Sequence, residues 1–109
     1  MKDNTLYLGH IRDAIDKIES YILDVNYEQF ASNNMMIDAV VRELAIIGEA
    51  TNNLSEDFRK NHPEIPFRDI IDMRNILIHN YTDVNIKVVW DTCKNNLPDL
   101  KKIVADILG

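Results

Sequence analysis

Phe67-Arg68-Asp69-Ile70-Ile71-Asp72-Met73-Arg74-Asn75-Ile76-Leu77-Ile78-His79-Asn80-Tyr81 is the stretch on which the reading of this chain turns. Phe67, Ile70, Ile71, Arg74, Leu77, Ile78 and Tyr81 recur with helical spacing, which predicts an amphipathic helix. Near its C-terminal end that helix carries a guanidinium, an imidazole and a phenol in the pattern R-x4-H-x-Y. An arginine offers a planar fork of donors to a phosphodiester. A histidine serves as general acid or base. At ~100° per residue, Arg74 and Tyr81 lie ~20° apart around the axis, whereas His79 lies ~140° from Arg74. One straight helix therefore cannot aim all three inward. Either the helix frays or turns near His79, or a second copy of the segment completes the site across a two-fold axis. Asn75, four residues before His79, is in reach of its ring and is a candidate to orient it.

Each residue also has an ordinary reading. A histidine in a last helical turn complements the negative end of the macrodipole, an arginine covers apolar surface with its stem, and a tyrosine plugs a core edge with its hydroxyl in water. The rest of the chain decides between the two readings.

Working outward, Leu8, Ile11, Ile15, Ile18 and Ile22 form the apolar stripe of a first helix from about Thr5 to Leu23. A polar and aromatic connection, Asp24 to Ser32, precedes a second long helix from about Asn33 to Leu54, marked by Ile37, Val41, Leu44 and Ile47 and capped by Ser32 or Asn33. Ser55 caps a short helix through about Asn61. The Pro63-Glu64-Ile65-Pro66 segment then breaks the chain before the Arg74 helix, whose termination is expected near Asn80 to Asp83. Asn85 caps a last helix built on Ile86, Val89, Trp90, Cys93, Leu97, Leu100, Ile103, Val104 and Ile107. Pro98 should kink or split it near Asn95 to Leu97. No strand alternation, repeat or glycine-rich phosphate loop interrupts this pattern, so the expected fold is an all-α bundle of four main helices plus a short one.

Composition agrees. The chain has 109 residues, 46% of them apolar and 28% charged, with three glycines and three prolines; residues 1–109 are expected to form a single domain. No apolar run is long enough to span a membrane, and the Met1 to Thr5 start lacks a signal-peptide core. A cytoplasmic protein is expected. The single cysteine, Cys93, excludes an internal disulfide and reads as a small core residue. The net charge of −6 argues against a general nucleic-acid binder but leaves room for a local cationic site that holds one phosphate. His10 and His62 lack partners at ligand spacing, so no metal site and no cofactor are expected. Met35, Met36 and Met73 read as core or interface filler, Trp90 as a core anchor, and Lys101-Lys102 as a solvated face. Gly48 would permit close helix approach. Glu49 either pairs with Arg74 across the bundle or faces solvent.

Four segments in order resemble the HepT-like (DUF86) family of the HEPN superfamily. They are Arg42-Glu43-Leu44-Ala45-Ile46-Ile47-Gly48-Glu49-Ala50 with its Ile-Gly-Glu-Ala core, the Pro63 to Phe67 approach, the Arg74, His79, Tyr81 set, and Trp90 with Asn96-Leu97-Pro98-Asp99-Leu100. Phe67 stands where many members carry Trp, a difference of packing alone. The resemblance implies a HEPN-type up-and-down bundle and the toxin half of a two-gene toxin-antitoxin pair. It implies a metal-independent endoribonuclease acting on messenger or transfer RNA, a homodimer whose motif helices line a cleft, and a minimal nucleotidyltransferase (MNT) as antitoxin partner. Arg74 and His79 would carry the cleavage, with Glu49, Asn75 and Asn80 supporting. Tyr81 matches the tyrosine that receives AMP units from the partner, placing phosphate and bulk where RNA would bind. The competing expectation is a non-catalytic helical module that binds and regulates a nucleotidyltransferase.

Overall fold

The computed structural model describes residues 3–79 and 84–109. Its elements are α1 (Asn4–Tyr21), α2 (Tyr27–Ala31), α3 (Asn34–Asn52), α4 (Glu56–Asn61), α5 (Phe67–His79), α6 (Ile86–Asp91), a π-helical turn (Thr92–Asn96) and α7 (Leu97–Leu108). No strand occurs among the described residues, and the protein is the all-α bundle that the helical periodicities predict. None of these helices is long and apolar enough to cross a membrane.

Local chemistry sets the boundaries. Asp3, Asn33, Ser55 and Asn85 cap α1, α3, α4 and α6, each side-chain oxygen accepting from a backbone N–H of the first turn. α1 stops at Tyr21, short of the expected Leu23, and Asp24 takes the left-handed conformation (φ 59°) that reverses the chain. The connection expected from Asp24 to Ser32 in fact contains α2. Asn26 and Gln29 form a reciprocal capping box around it, and Phe30 is driven fully into the core. Five residues are too few to show a helical period, so only the capping pair could have revealed it.

The expected break at Pro98 appears as a π turn. Proline has no N–H to donate to the carbonyl of Lys94 and its ring crowds that carbonyl; the Leu97 N–H bonds to Thr92 O, one residue further back than Cys93, its α-helical partner. The wider turn carries the apolar stripe of α6 over to α7 without losing register, and Val89, Trp90, Cys93, Leu97, Leu100 and Val104 are all buried.

α3 is the centre of the bundle, packed against α1 on one side and α5 on the other, with α7 closing on α1. The α1 and α4 starts are tied together: Asn4 Nδ2 donates to Ser55 Oγ at 3.1 Å and Ser55 N donates to Asn4 Oδ1 at 3.0 Å. Trp90 anchors α6 against Phe30, ring centroids 5.1 Å apart. On the solvated face Lys101 belongs to an ion-pair cluster: its Nζ lies 2.6 Å from Glu19 Oε1 and 3.6 Å from Asp16 Oδ1, and the hydrogen bond it donates to Glu19 holds the ammonium above its ordinary pKa. Burial pushes the Cys93 thiol up to about 12, an inert core group. Met36 and Met73 pack against the core, but Met35 is 84% exposed and is no part of it.

One buried carboxylate was not foreseen. Glu43 is 2% exposed in the middle of α3, its Oε2 held 3.2 Å from Nη1 of the exposed Arg42.

The two internal glycines differ in kind. A Cβ added at Gly9 would meet nothing within 4 Å, so Gly9→Ala should gain helix propensity and raise the unfolding free energy by about 0.5–1 kcal/mol. Chemical denaturation measures this; a destabilised Gly9→Ala would mean that the α1 surface is not open there.

Candidate functional site: an arginine held between two helices

Arg74 lies on the face of α5 turned toward α3, directly over Gly48. A Cβ built on Gly48 would stand 2.6 Å from Arg74 Cγ, closer still to Arg74 Cβ, and 3.4 Å from the Arg74 Cα. Any larger residue at position 48 would therefore push the two helices apart. Gly48 exists here because backbone and arginine stem occupy the space a side chain would need.

From this seat the guanidinium reaches outward and is clamped twice. Its Nη2 donates to Glu49 Oε2 at 2.5 Å and its Nη1 donates to Asn75 Oδ1 at 2.9 Å. Of the two readings left open for Glu49, the structure adopts the pairing with Arg74. The pair is asymmetric, with Arg74 24% and Glu49 53% exposed. Solvent screening therefore limits its contribution to stability to about 1 kcal/mol or less, and its effect is mainly to fix direction. The Arg74 Nε–H is buried with no partner among the described residues. An orphaned donor of this kind costs stability, and here it is the consequence of pressing the stem into the Gly48 notch.

His79 lies at the other extreme. It is exposed, and α5 runs unbroken from Phe67 through it. Five residues along one continuous helix separate it from Arg74 by ~7.5 Å of rise and ~140° of rotation. Arg74 faces α3; His79 faces away from the bundle. No hydrogen bond joins them among the described residues. Asn75 sits between the two, on the His79 side of the helix, yet its oxygen is committed to Arg74. Asn80 and Tyr81, the other two expected site residues, lie outside the described residues.

The opposite flank of α5 forms an apolar groove against α6. It encloses about 520 Å³ and includes Ile70, Met73, Ile76, Val88 and Val89, with Asp69 and Asp72 on its rim. Ile76 and Val88 remain 53% and 52% exposed. A much smaller cavity, about 60 Å³, lies where Leu44 and Ile47 of α3 meet α5 and α7.

Comparison with known proteins identifies the family. The family model described as ribonuclease HepT-like matches residues 11–107. The chain is 43% identical over 95 residues to a protein of Thermococcus cleftensis named "Probable ribonuclease HepT", covering 87% of this chain and 86% of that one. A Caldanaerobacter subterraneus protein provisionally named as an RNase is 37% identical over 108 residues, covering 99% and 96%. A Methanocaldococcus jannaschii protein, named for gamma-glutamylcyclotransferase and, provisionally, RNase functions, is 37% identical over 107 residues. This chain spans about half of that relative, 48% of its length. No solved structure matches. The chain belongs to the HepT-like ribonuclease family.

Gly48→Ala should cost about 1–3 kcal/mol of stability, the range for overpacking a tight contact. Denaturation of Gly48→Ala, Arg74→Gly and the double variant checks the cause: removing the Arg74 Cβ and stem should make Gly48→Ala cost less, and strictly additive losses would mean that the notch does not exist to seat this side chain.

Proposed function

We propose that this protein is a metal-independent endoribonuclease, the toxin component of a two-gene toxin-antitoxin pair, with Arg74 and His79 as its catalytic residues. The observation that carries this reading is the clamped guanidinium: an arginine fixed by a glycine notch, a carboxylate and an amide, with donors still directed outward. Such an arrangement is ready to receive a phosphodiester and to stabilise the extra negative charge of a pentacoordinate phosphorus. His79 takes the proton of the ribose 2′-hydroxyl as the 2′-oxygen bonds to phosphorus, or delivers a proton to the 5′-oxygen as the P–O5′ bond breaks. The products are a 2′,3′-cyclic phosphate, or the 3′-phosphate formed from it by water, and a 5′-hydroxyl.

A homodimer supplies what one chain lacks. Because α5 is continuous through His79, a single copy directs Arg74 and His79 to different sides. A two-fold partner seated along the outer edge of α5 would bury Ile76, three residues from His79, and bring the two motif helices together. The half-exposed Ile76 and Val88 beside the α5–α6 groove support this reading. Asn80 adds a hydrogen bond to the substrate. Tyr81 is the residue to which an MNT-type nucleotidyltransferase antitoxin attaches AMP, adding negative charge and bulk that exclude RNA phosphate. Messenger or transfer RNA is the substrate class.

The test is RNA cleavage by the purified protein in EDTA, with end-group analysis. Arg74→Ala and His79→Ala, each verified as folded, should lose ~10²–10³-fold or more in rate. A wild type that cuts no RNA, or a folded double variant that still cuts, would overturn the assignment in favour of a non-catalytic module that docks a nucleotidyltransferase. The strongly acidic chain, net charge −6, fits that second reading.

Light scattering addresses the assembly separately. Ile76→Asp should convert a dimer to a folded monomer and abolish cleavage together; a monomer that retains full cleavage would refute a shared site.

A further inference from the structure

Asparagine carries an acceptor at one end of its amide and two donors at the other, and only its surroundings determine which end points where. At Asn75 the surroundings are decisive. Arginine is donor-only, so the atom facing Arg74 Nη1 at 2.9 Å must be the oxygen. The nitrogen is thereby turned the other way, and among the described residues it has no partner. Asn75 itself lies between the two motif residues around α5, ~40° from His79, which is one helical turn further on.

A count of the arginine hydrogens shows what this arrangement leaves available. Of five N–H groups, the Nε–H is buried, one on Nη1 is spent on Asn75 and one on Nη2 on Glu49. One hydrogen on each Nη remains. A phosphodiester held by these has two nonbridging oxygens to satisfy, and Glu49 has already offset part of the cationic charge. We propose that Asn75 is a phosphate-binding residue, its side-chain NH₂ donating to a nonbridging oxygen of the phosphate that Arg74 holds. The inference rests on the ribonuclease reading for its biological meaning. The geometry also explains the choice of amide over carboxylate at position 75. An aspartate would keep the bond to Arg74, but it would place a second negative charge against the guanidinium and face the incoming phosphate with an acceptor.

Two measurements test it. In the first, inorganic phosphate is titrated into the isotope-labelled full chain while the Asn75 side-chain NH₂ and the Arg74 guanidinium resonances are followed. Both should shift with one common half-saturation in the wild type, and Asn75→Asp, which preserves the Arg74 contact and the shape, should weaken phosphate binding by about tenfold or more. Phosphate that moves Arg74 without moving the Asn75 amide overturns the proposal, as does phosphate that moves neither.

In the second, the wild type and Asn75→Ala are compared on RNA with a single sulfur replacing one or the other nonbridging oxygen at the cleaved linkage. Sulfur is a poor acceptor, so the wild type should be slowed on one diastereomer, and this preference should vanish in Asn75→Ala. A residue that only supports the helix would slow all substrates alike and leave the preference intact. One that only orients His79 would displace the pH–rate profile instead. Either of those results also overturns the proposal. If the wild type cuts no RNA, the ribonuclease reading fails, and the phosphate titration still decides the role of Asn75.

Discussion

The close approach of α3 and α5 at Gly48 is the constraint on which the rest depends. Helices usually meet through interleaved side chains. Here one partner contributes bare backbone and the other the stem of a charged residue. The cost is explicit: a glycine in mid-helix, a buried Nε–H without an acceptor among the described residues, and a carboxylate committed to an ion pair that is half in water. What the protein gains is direction. A free surface arginine samples many rotamers, whereas this one is held by its stem, by Glu49 and by Asn75 before any ligand arrives. Preorganised donors of this kind need no reorganisation when charge develops on a substrate, which is why they outperform the same groups in water.

The two halves of the motif are handled differently. Arg74 is set into the bundle and His79 stands out from it on the same helix. One continuous helix thus carries an anchored cation on one face and an exposed imidazole on another. The groove on the far flank of α5 adds an apolar surface edged with half-exposed isoleucine and valine. With a net charge of −6 the chain lacks the broad positive field of a general RNA binder, so a phosphate held by it would have to be met by local geometry.

The relatives extend the picture in one respect. In Methanocaldococcus jannaschii a similar segment makes up about half of a longer protein named for a second activity as well. The bundle has its own core, one contiguous cluster running from Leu8 to Val104. A unit with its own core can be joined to other domains without rebuilding its interior.

Much of the architecture was legible in the chain. Apolar residues at helical spacing located the long helices, because burial of one face is a repeated, local signal. Asn33, Ser55 and Asn85 marked starts, because a capping oxygen acts within one turn. Pro98 marked the break, because a missing N–H is a property of the residue itself. The family resemblance, carried by Arg74, His79, Tyr81 and the Ile-Gly-Glu-Ala core, was readable for the same reason. What stayed hidden was short or depended on distant partners. α2 is only five residues long; Met35 follows a helical pattern but has no opposing surface; Glu43 is buried because of what surrounds it. The choice between solvent and Arg74 for Glu49 was likewise settled only in three dimensions, and the bond from Arg74 to Asn75, read from the sequence only as a neighbour of the His79 ring, appeared only there. Residues 48, 49, 74 and 75 come from two helices, and which donor meets which acceptor depends on how closely those helices pack. The sequence by itself determined the helices, their caps and the chemical groups available; the tertiary structure alone decided how those groups were paired, because pairing is a matter of ångströms across a helix interface and is encoded at no single position.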